Sequence, residues 1–250
     1  MPISIKSDRE IELMKEAGRI LAITHEELSK ALRPGMTTYD IDKLGEEIIR
    51  SYGCIPSFLN YQGYPASICV SVNNEVVHGI PSKKHFIKEG DIVSLDAGVI
   101  YKGYHSDAAR THGIGHISDE AAKLIRVTRE CFDEACHVVK EGAHIGDISR
   151  AVQEHAEKNG FSVVRDLVGH GVGTSLHEAP EVPNFVQKRR GARLQAGMTL
   201  AIEPMINAGA FHVKWLDDDW TVVTADGSLS AHYENTVLVT KDGCELLSVQ

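Results

Sequence analysis

Apolar residues at Ile11, Met14, Leu21, Leu28 and Leu32 recur at helical spacing and define one buried face. Ser7, with Glu10 three residues on, reads as the capping box that opens this helix. A second long helix is opened by Ser118-Asp119-Glu120 and buries Leu124, Phe132, Ala135 and Val139. The two helices stop near Gly35 and Gly142. Each is followed by a further helix running to Gly53 or Gly160, glycines placed as C-terminal stops. Apolar runs predict strands at 67–72 and 91–96, then at 198–203 and 236–240. Residues 91–99 and 104–112, joined by a turn around Tyr101-Lys102-Gly103, read as a β-hairpin.

The second set of elements echoes the first at a constant offset of 107 residues. Arg19 falls on Arg126, Glu27 on Glu134, Gly35 on Gly142, Asp40 on Asp147, Ile41 on Ile148, Glu47 on Glu154, Gly53 on Gly160 and Gly90 on Gly197. No gap is needed, and the coincidences gather at glycines and helix ends. No Pro/Ser/Gly-rich linker separates the copies, so residues 1–250 read as one α+β domain. Its two helix–helix–sheet halves, about 7–112 and 118–240, are related by a pseudo-twofold, with strands together and helices outside.

Composition narrows the class. The 250 residues carry 26 Lys and Arg against 35 Asp and Glu, a formal net charge of −9. That balance speaks against duplex nucleic acid or an anionic membrane surface as the main partner. No apolar run approaches the length that crosses a bilayer, and the charged N-terminal residues do not read as a signal peptide. Five cysteines without a Cys-x-x-Cys fit a reducing compartment, so a cytoplasmic protein is expected.

Carboxylates at strand ends are the candidate chemistry. In the repeat register Asp96 falls on Glu203, each six residues after a glycine and at the end of an apolar strand. An unpaired buried carboxylate is costly, so such groups are paired or bind metal. The hairpin puts Asp107 on the same face as Asp96, directly opposite or diagonal, where like charges repel unless something positive lies between them. The plainer alternative is a pair of rim carboxylates in solvent or paired with Arg110. His170, in Gly169-His-Gly-Val-Gly173, and Glu234, in Ala231-His-Tyr-Glu-Asn235, complete the candidates. The glycines around His170 would let backbone approach a ligand closely, although the segment has neither the Lys-Ser/Thr of a P-loop nor the dinucleotide spacing. Four carboxylates and one imidazole suit two divalent ions (Co, Mn, Fe, Ni or Zn) better than one tetrahedral zinc.

Taken in chain order, Asp96, Asp107, His170, Glu203 and Glu234 closely resemble the ligand set of the methionine aminopeptidases. The matching segments are Val76-Val-His-Gly-Ile-Pro81, Ser94-Leu-Asp-Ala-Gly98, Gly169-His-Gly-Val-Gly-Thr-Ser-Leu-His177, Ile202-Glu-Pro-Met205 and Tyr233-Glu-Asn-Thr236. The likeness covers essentially the whole chain and is to the short, bacterial form of the type 1 enzymes. It implies the pita-bread fold, in which two pseudo-symmetric α+β halves form a curved central sheet around a dinuclear site, with helices outside. It also implies a monomeric metallo-exopeptidase that removes the initiator methionine from the N-termini of nascent polypeptides whose second residue is small and uncharged.

Within that resemblance, two ions bridged by Asp107 and Glu234 would hold a water, Asp96 chelating one ion and His170 and Glu203 completing the other. Glu203 would take the proton from that water and pass it to the leaving amine. His177 would contact the scissile carbonyl and His78 the amide nitrogen of the substrate. Tyr61, Tyr64, Cys69 and Trp220, with Phe58 nearby, fall where the family lines its methionine pocket. Leu176, Gln62, Phe58 and Asp219 depart from the family's usual residues and bear on the shape of that pocket. A prolidase or X-Pro aminopeptidase shares fold and ligands but usually carries a large extra N-terminal domain, whereas helix one here begins at about Ser7. A non-catalytic pita-bread binding module usually loses ligands, and all five are present. The run Lys188-Arg189-Arg190 with Arg193 reads as a solvated loop, with ribosome contact as a further hypothesis.

Overall fold

The computed structural model describes residues 2–249. Four helices form where the patterns place them: α1 (Asp8–Ala31), α2 (Thr38–Ser51), α3 (Asp119–Val138) and α4 (Ile145–Lys158). Ser7 caps α1 with Glu10 reaching back to the Ser7 N–H (2.8 Å), and the Ser118 hydroxyl accepts from the Ala121 N–H. The caps of α2 and α4 are absent from the sequence expectation. Asp40 accepts from the Thr37 N–H (3.0 Å) and Asp147 from the His144 N–H (2.9 Å), so both second helices open on an acidic third residue. Helix α1 ends at Ala31, ahead of Gly35, because Pro34 biases Arg33 away from helical geometry. Gly35 and Gly142, both at φ 89, then make the turn into the next helix.

The offset of 107 is written into the coordinates. Helix α4 begins and ends where α2 would if moved by that offset. The isolated bridge Thr37–Phe86 has its counterpart in His144–Arg193. The hydrogen bonds Gly35 N–H to Ile87 O and Ile87 N–H to Met36 O are repeated as Gly142 to Leu194 and Leu194 to Ala143. A duplicated unit thus keeps its local bonding as well as its helices.

The central sheet is antiparallel throughout its nine strands. Its spine runs from Ile92–Tyr101 to Tyr104–Gly113, then across the pseudo-twofold to Glu234–Val239, Thr199–Ile202 and Gly169–Gly171. Ile68–Val72 flanks the first half. Two three-stranded sheets complete the fold; their strands of two or three residues are too short to show a period in sequence. Helices α1 and α2 bury Ile20, Leu21, Leu28, Ile41 and Ile49 against Val93, Leu95, Ala97 and Val99. Helices α3 and α4 do the same with Leu124, Phe132, Ile148 and Val152 against Leu200, Ile202, Val237 and Val239. Each half therefore has its own core between helices and sheet, and the opposite sheet face is left for the site. No helix among the described residues is long and apolar enough to cross a membrane.

Candidate metal centre and substrate cavity

Strand alternation decides which face the acidic residues take. Val93, Leu95, Ala97 and Val99 point into the helix-side core, so Asp96 points the other way. The hairpin closes on Lys102-Gly103, both at positive φ (47 and 86), which fixes Tyr101 opposite Tyr104. In that register Asp96 faces Ala109 and Asp107 faces Gly98, making the two aspartates diagonal neighbours on one face. Glu234 is paired with Ala109 and His170 with Ala201, extending the same face across the pseudo-twofold. Leu200 and Ile202 belong to the helix-side core, so Glu203, one residue beyond their strand, joins the others.

The glycines around His170 serve the sheet and not a ligand. A Cβ at Gly169 would meet the Ala201 carbonyl, and one at Gly171 the Ala179 carbonyl. They allow neighbouring backbones to close on His170 from both sides.

The side chains converge. Ligand atoms of Asp107, His170 and Glu234 all lie within 4.8 Å of one another. The Nε2 of His170 is 3.5 Å from Glu203 Oε1 and 3.9 Å from Asp107 Oδ2. Asp96, Asp107 and Glu234 are buried, and Asp96 Oδ1, Asp107 Oδ1 and Glu234 Oε1 have no hydrogen-bond partner. Arg110 supplies none: its guanidinium donates to the carbonyls of Ala109 and Glu234 and to Asn235 Oδ1. Burial, then repulsion among the carboxylates, pushes Asp96, Glu203 and Glu234 well above the usual carboxylate range, and burial raises Asp107 as well. Burial, with His177 close by, holds His170 neutral, down to about 3. Its Nδ1 donates to the Gly171 carbonyl (2.9 Å), leaving the Nε2 lone pair toward the carboxylates. Orphaned buried oxygens, mutual repulsion and a free imidazole lone pair are what a divalent cation site requires, so these residues fit one.

All five candidates line one cavity of about 310 Å³, together with His78, His177, Phe58, Tyr61, Tyr64, Cys69 and Trp220. Phe58, Tyr64, Cys69 and Leu176 form an apolar cluster, with Tyr61 and Trp220 packed against it. Tyr64 meets Trp220 edge-on at 5.1 Å, and His78 meets the same indole at 6.2 Å. His78 adopts the left-handed region (φ 60), strain of the kind stored at functional sites. His177 stacks on Tyr61 at 5.3 Å, bonds its hydroxyl through Nδ1 (2.8 Å), and lies 4.0 Å from the His170 ring.

One residue escaped the sequence reading. His232 is buried, with its Nε2 3.9 Å from both Glu203 Oε2 and Glu234 Oε2. Its position two residues before Glu234 was the available signal, although His232 ends the strand Ser230–His232 of a three-stranded sheet and Glu234 opens the strand Glu234–Val239 of the central one.

The profile of metallopeptidase family M24 matches residues 12–241 of the chain. A methionine aminopeptidase of Clostridium perfringens is 54% identical over 247 residues, 99% of each chain. The crystal structure of methionine aminopeptidase from Thermotoga maritima superposes with a TM-score of 0.97 at 46% identity, covering 100% of both chains. An Xaa-Pro dipeptidase from Bacillus anthracis shares the fold at a TM-score of 0.81 and 26% identity, with 98% of this chain covered but 62% of that one.

Proposed function

Because the chain belongs to metallopeptidase family M24, we propose that it is an aminopeptidase removing methionine from the N-termini of nascent polypeptides whose second residue is small and uncharged. The observation that carries this reading is the carboxylate–imidazole cluster set against the apolar cluster in one cavity. Asp96, Asp107, His170, Glu203 and Glu234 would hold two divalent ions. When bound, such ions lower the pKa of water and stabilise negative charge on the carbonyl oxygen of the substrate.

The chain's own residues supply the remainder. Phe58, Tyr61, Tyr64, Cys69 and Trp220 form an apolar, largely aromatic surface that takes the unbranched methionine side chain. Glu203, in the cavity beside His170 (3.5 Å) and His232 (3.9 Å), would accept the proton of the attacking water and return it to the leaving amine. With the Tyr61 hydroxyl donating to Nδ1, the imidazole of His177 carries its proton on Nε2 and offers it to the substrate carbonyl. His78, held neutral by burial, contacts the scissile amide nitrogen. Lys188 and Arg189 are exposed, while Arg190 is bound by Asp147 (2.9 Å), leaving the first two for any ribosome contact.

The test is metal-reconstituted turnover of a Met-Gly-Met-Met peptide beside an Ala-Pro peptide. Methionine release that requires added metal supports the reading. Preferential cleavage of Ala-Pro would move the assignment to the X-Pro enzymes. No turnover of either by folded, metal-loaded protein would make the chain a binding module.

A further inference from the structure

Behind the catalytic strands a second concavity collects charge of the opposite sign. Its volume is about 400 Å³, and Arg110, Arg126, Arg129, His112, His232 and Tyr233 line it. None of the described lining residues is acidic, in a protein whose formal net charge is −9. Arg110 stands 4.4 Å over the Tyr233 ring and Arg129 5.9 Å from the same ring, so two guanidiniums gather at one aromatic ring. The bonds of Arg110 end on neutral oxygens: the carbonyls of Ala109, Glu234 and Ser248, and Asn235 Oδ1. Burial, and more weakly Arg129, disfavour its charge, while Tyr233 and Glu234 favour it. One terminal nitrogen of Arg126 is engaged by Glu130 (2.7 Å). Two buried ring nitrogens, Nε2 of His112 and Nδ1 of His232, have no hydrogen-bond partner.

We propose that this cavity binds a phosphate-sized oxyanion, either free phosphate or the phosphoryl group of a nucleotide. Guanidiniums present paired N–H donors that match the edges of a tetrahedral oxyanion. A neutral imidazole N–H from His112 or His232 adds a donor without a change of protonation. The occupant joins α3, through Arg126 and Arg129, to the strand Tyr104–Gly113, through Arg110 and His112. Arg110 in turn holds the Glu234 carbonyl, so the anion braces the strand that carries a metal-site carboxylate from its far side.

Calorimetric titration of the metal-loaded enzyme with inorganic phosphate, and separately with AMP, at ionic strength fixed by chloride, tests this. The partner variant is Arg126→Gln/Arg129→Gln, whose side chains are exposed and outside the catalytic cavity. Phosphate is expected to bind at millimolar concentration or below, and the double variant to weaken it by about tenfold or more. Methionine release without phosphate should be the same in both proteins. Binding of AMP tighter than that of phosphate assigns the source to a nucleotide, and binding of phosphate alone to the free ion. Absence of heat with either anion overturns the proposal. So does equal affinity in the double variant, which would place the anion on the metals of the front cavity.

Discussion

Glu203 answers to several neighbours at once: His170 at 3.5 Å, His232 at 3.9 Å, and Asn184, whose side-chain amide donates to its carbonyl (2.9 Å). That crowding fixes the one carboxylate proposed to serve as both ligand and base. Glu203→Ala should therefore lower methionine release by about 10²–10⁴-fold, with metal affinity measured alongside so that the two roles separate. Retention of most activity would remove Glu203 from the proton transfer. Tyr61→Phe removes the partner of His177 Nδ1 but no proposed ligand. It should cost roughly three- to tenfold in kcat/KM with metal content unchanged. Asp96, Glu203 and Asp107 stood out in sequence because the internal repeat and the hairpin put charges where apolar residues belong, whereas His170 and Glu234 joined the candidate set through the family resemblance. His232 did neither, since a histidine beside a ligand is indistinguishable from a core histidine until the fold shows both carboxylates beside it. The opposite destination of Arg110 was equally hidden, because the face a strand residue takes depends on which side the helices cover.

At the level of elements, the strand Gly169–Gly171 is defined by what its neighbours leave no room for. Gly171→Ala puts a methyl group against the Ala179 carbonyl, a backbone atom and not the end of a flexible side chain. The expected loss is about 1–3 kcal/mol of stability, read by denaturant unfolding, with weakened metal binding because His170 is displaced. An unchanged midpoint would show that the strand can shift. Helices α1 and α3 and the hairpin were readable from sequence because their apolar periodicity runs over many residues. The short strands such as Met205–Asn207 and Val222–Thr224 were not, since three residues cannot display a period and tertiary pairing alone makes them extended. The capping pair Thr37–Asp40 was overlooked where Ser7–Glu10 was found, as a shorter acidic partner is a weaker signature than Glu at the third position.

For the molecule as a whole, the acidic cluster sets the response to pH and metal. Folded carboxyl groups whose pKa lies above the unfolded value contribute stability at low pH and lose it as pH rises through the folded value. Metal-free protein thus pays at neutral pH for charges that a divalent ion neutralises. The rise in Tm on adding Mn or Co should be larger at about pH 8 than at about pH 5.5, where protons compete for the same oxygens. An equal or larger rise at the lower pH would argue that the metal binds elsewhere. In acid the buried His25, depressed to about 3, works the other way. Its folded pKa lies below the unfolded one, so stability falls as pH drops from about 6.5 toward 3.

The cluster also straddles the join between the copies: Asp96 and Asp107 lie before it, His170, Glu203 and Glu234 after it. The exposed peptide between Gly115 and His116 lies between the strand Tyr104–Gly113 and α3. Two co-expressed fragments divided there each keep a helix-covered core but only part of the acidic set. Neither should release methionine alone, and their reassembly should restore it; release by a single fragment would contradict the shared site. Catalysis would then be a logical conjunction, an output given only when both halves are present and correctly joined, and the divided chain would be a split reporter of its own assembly.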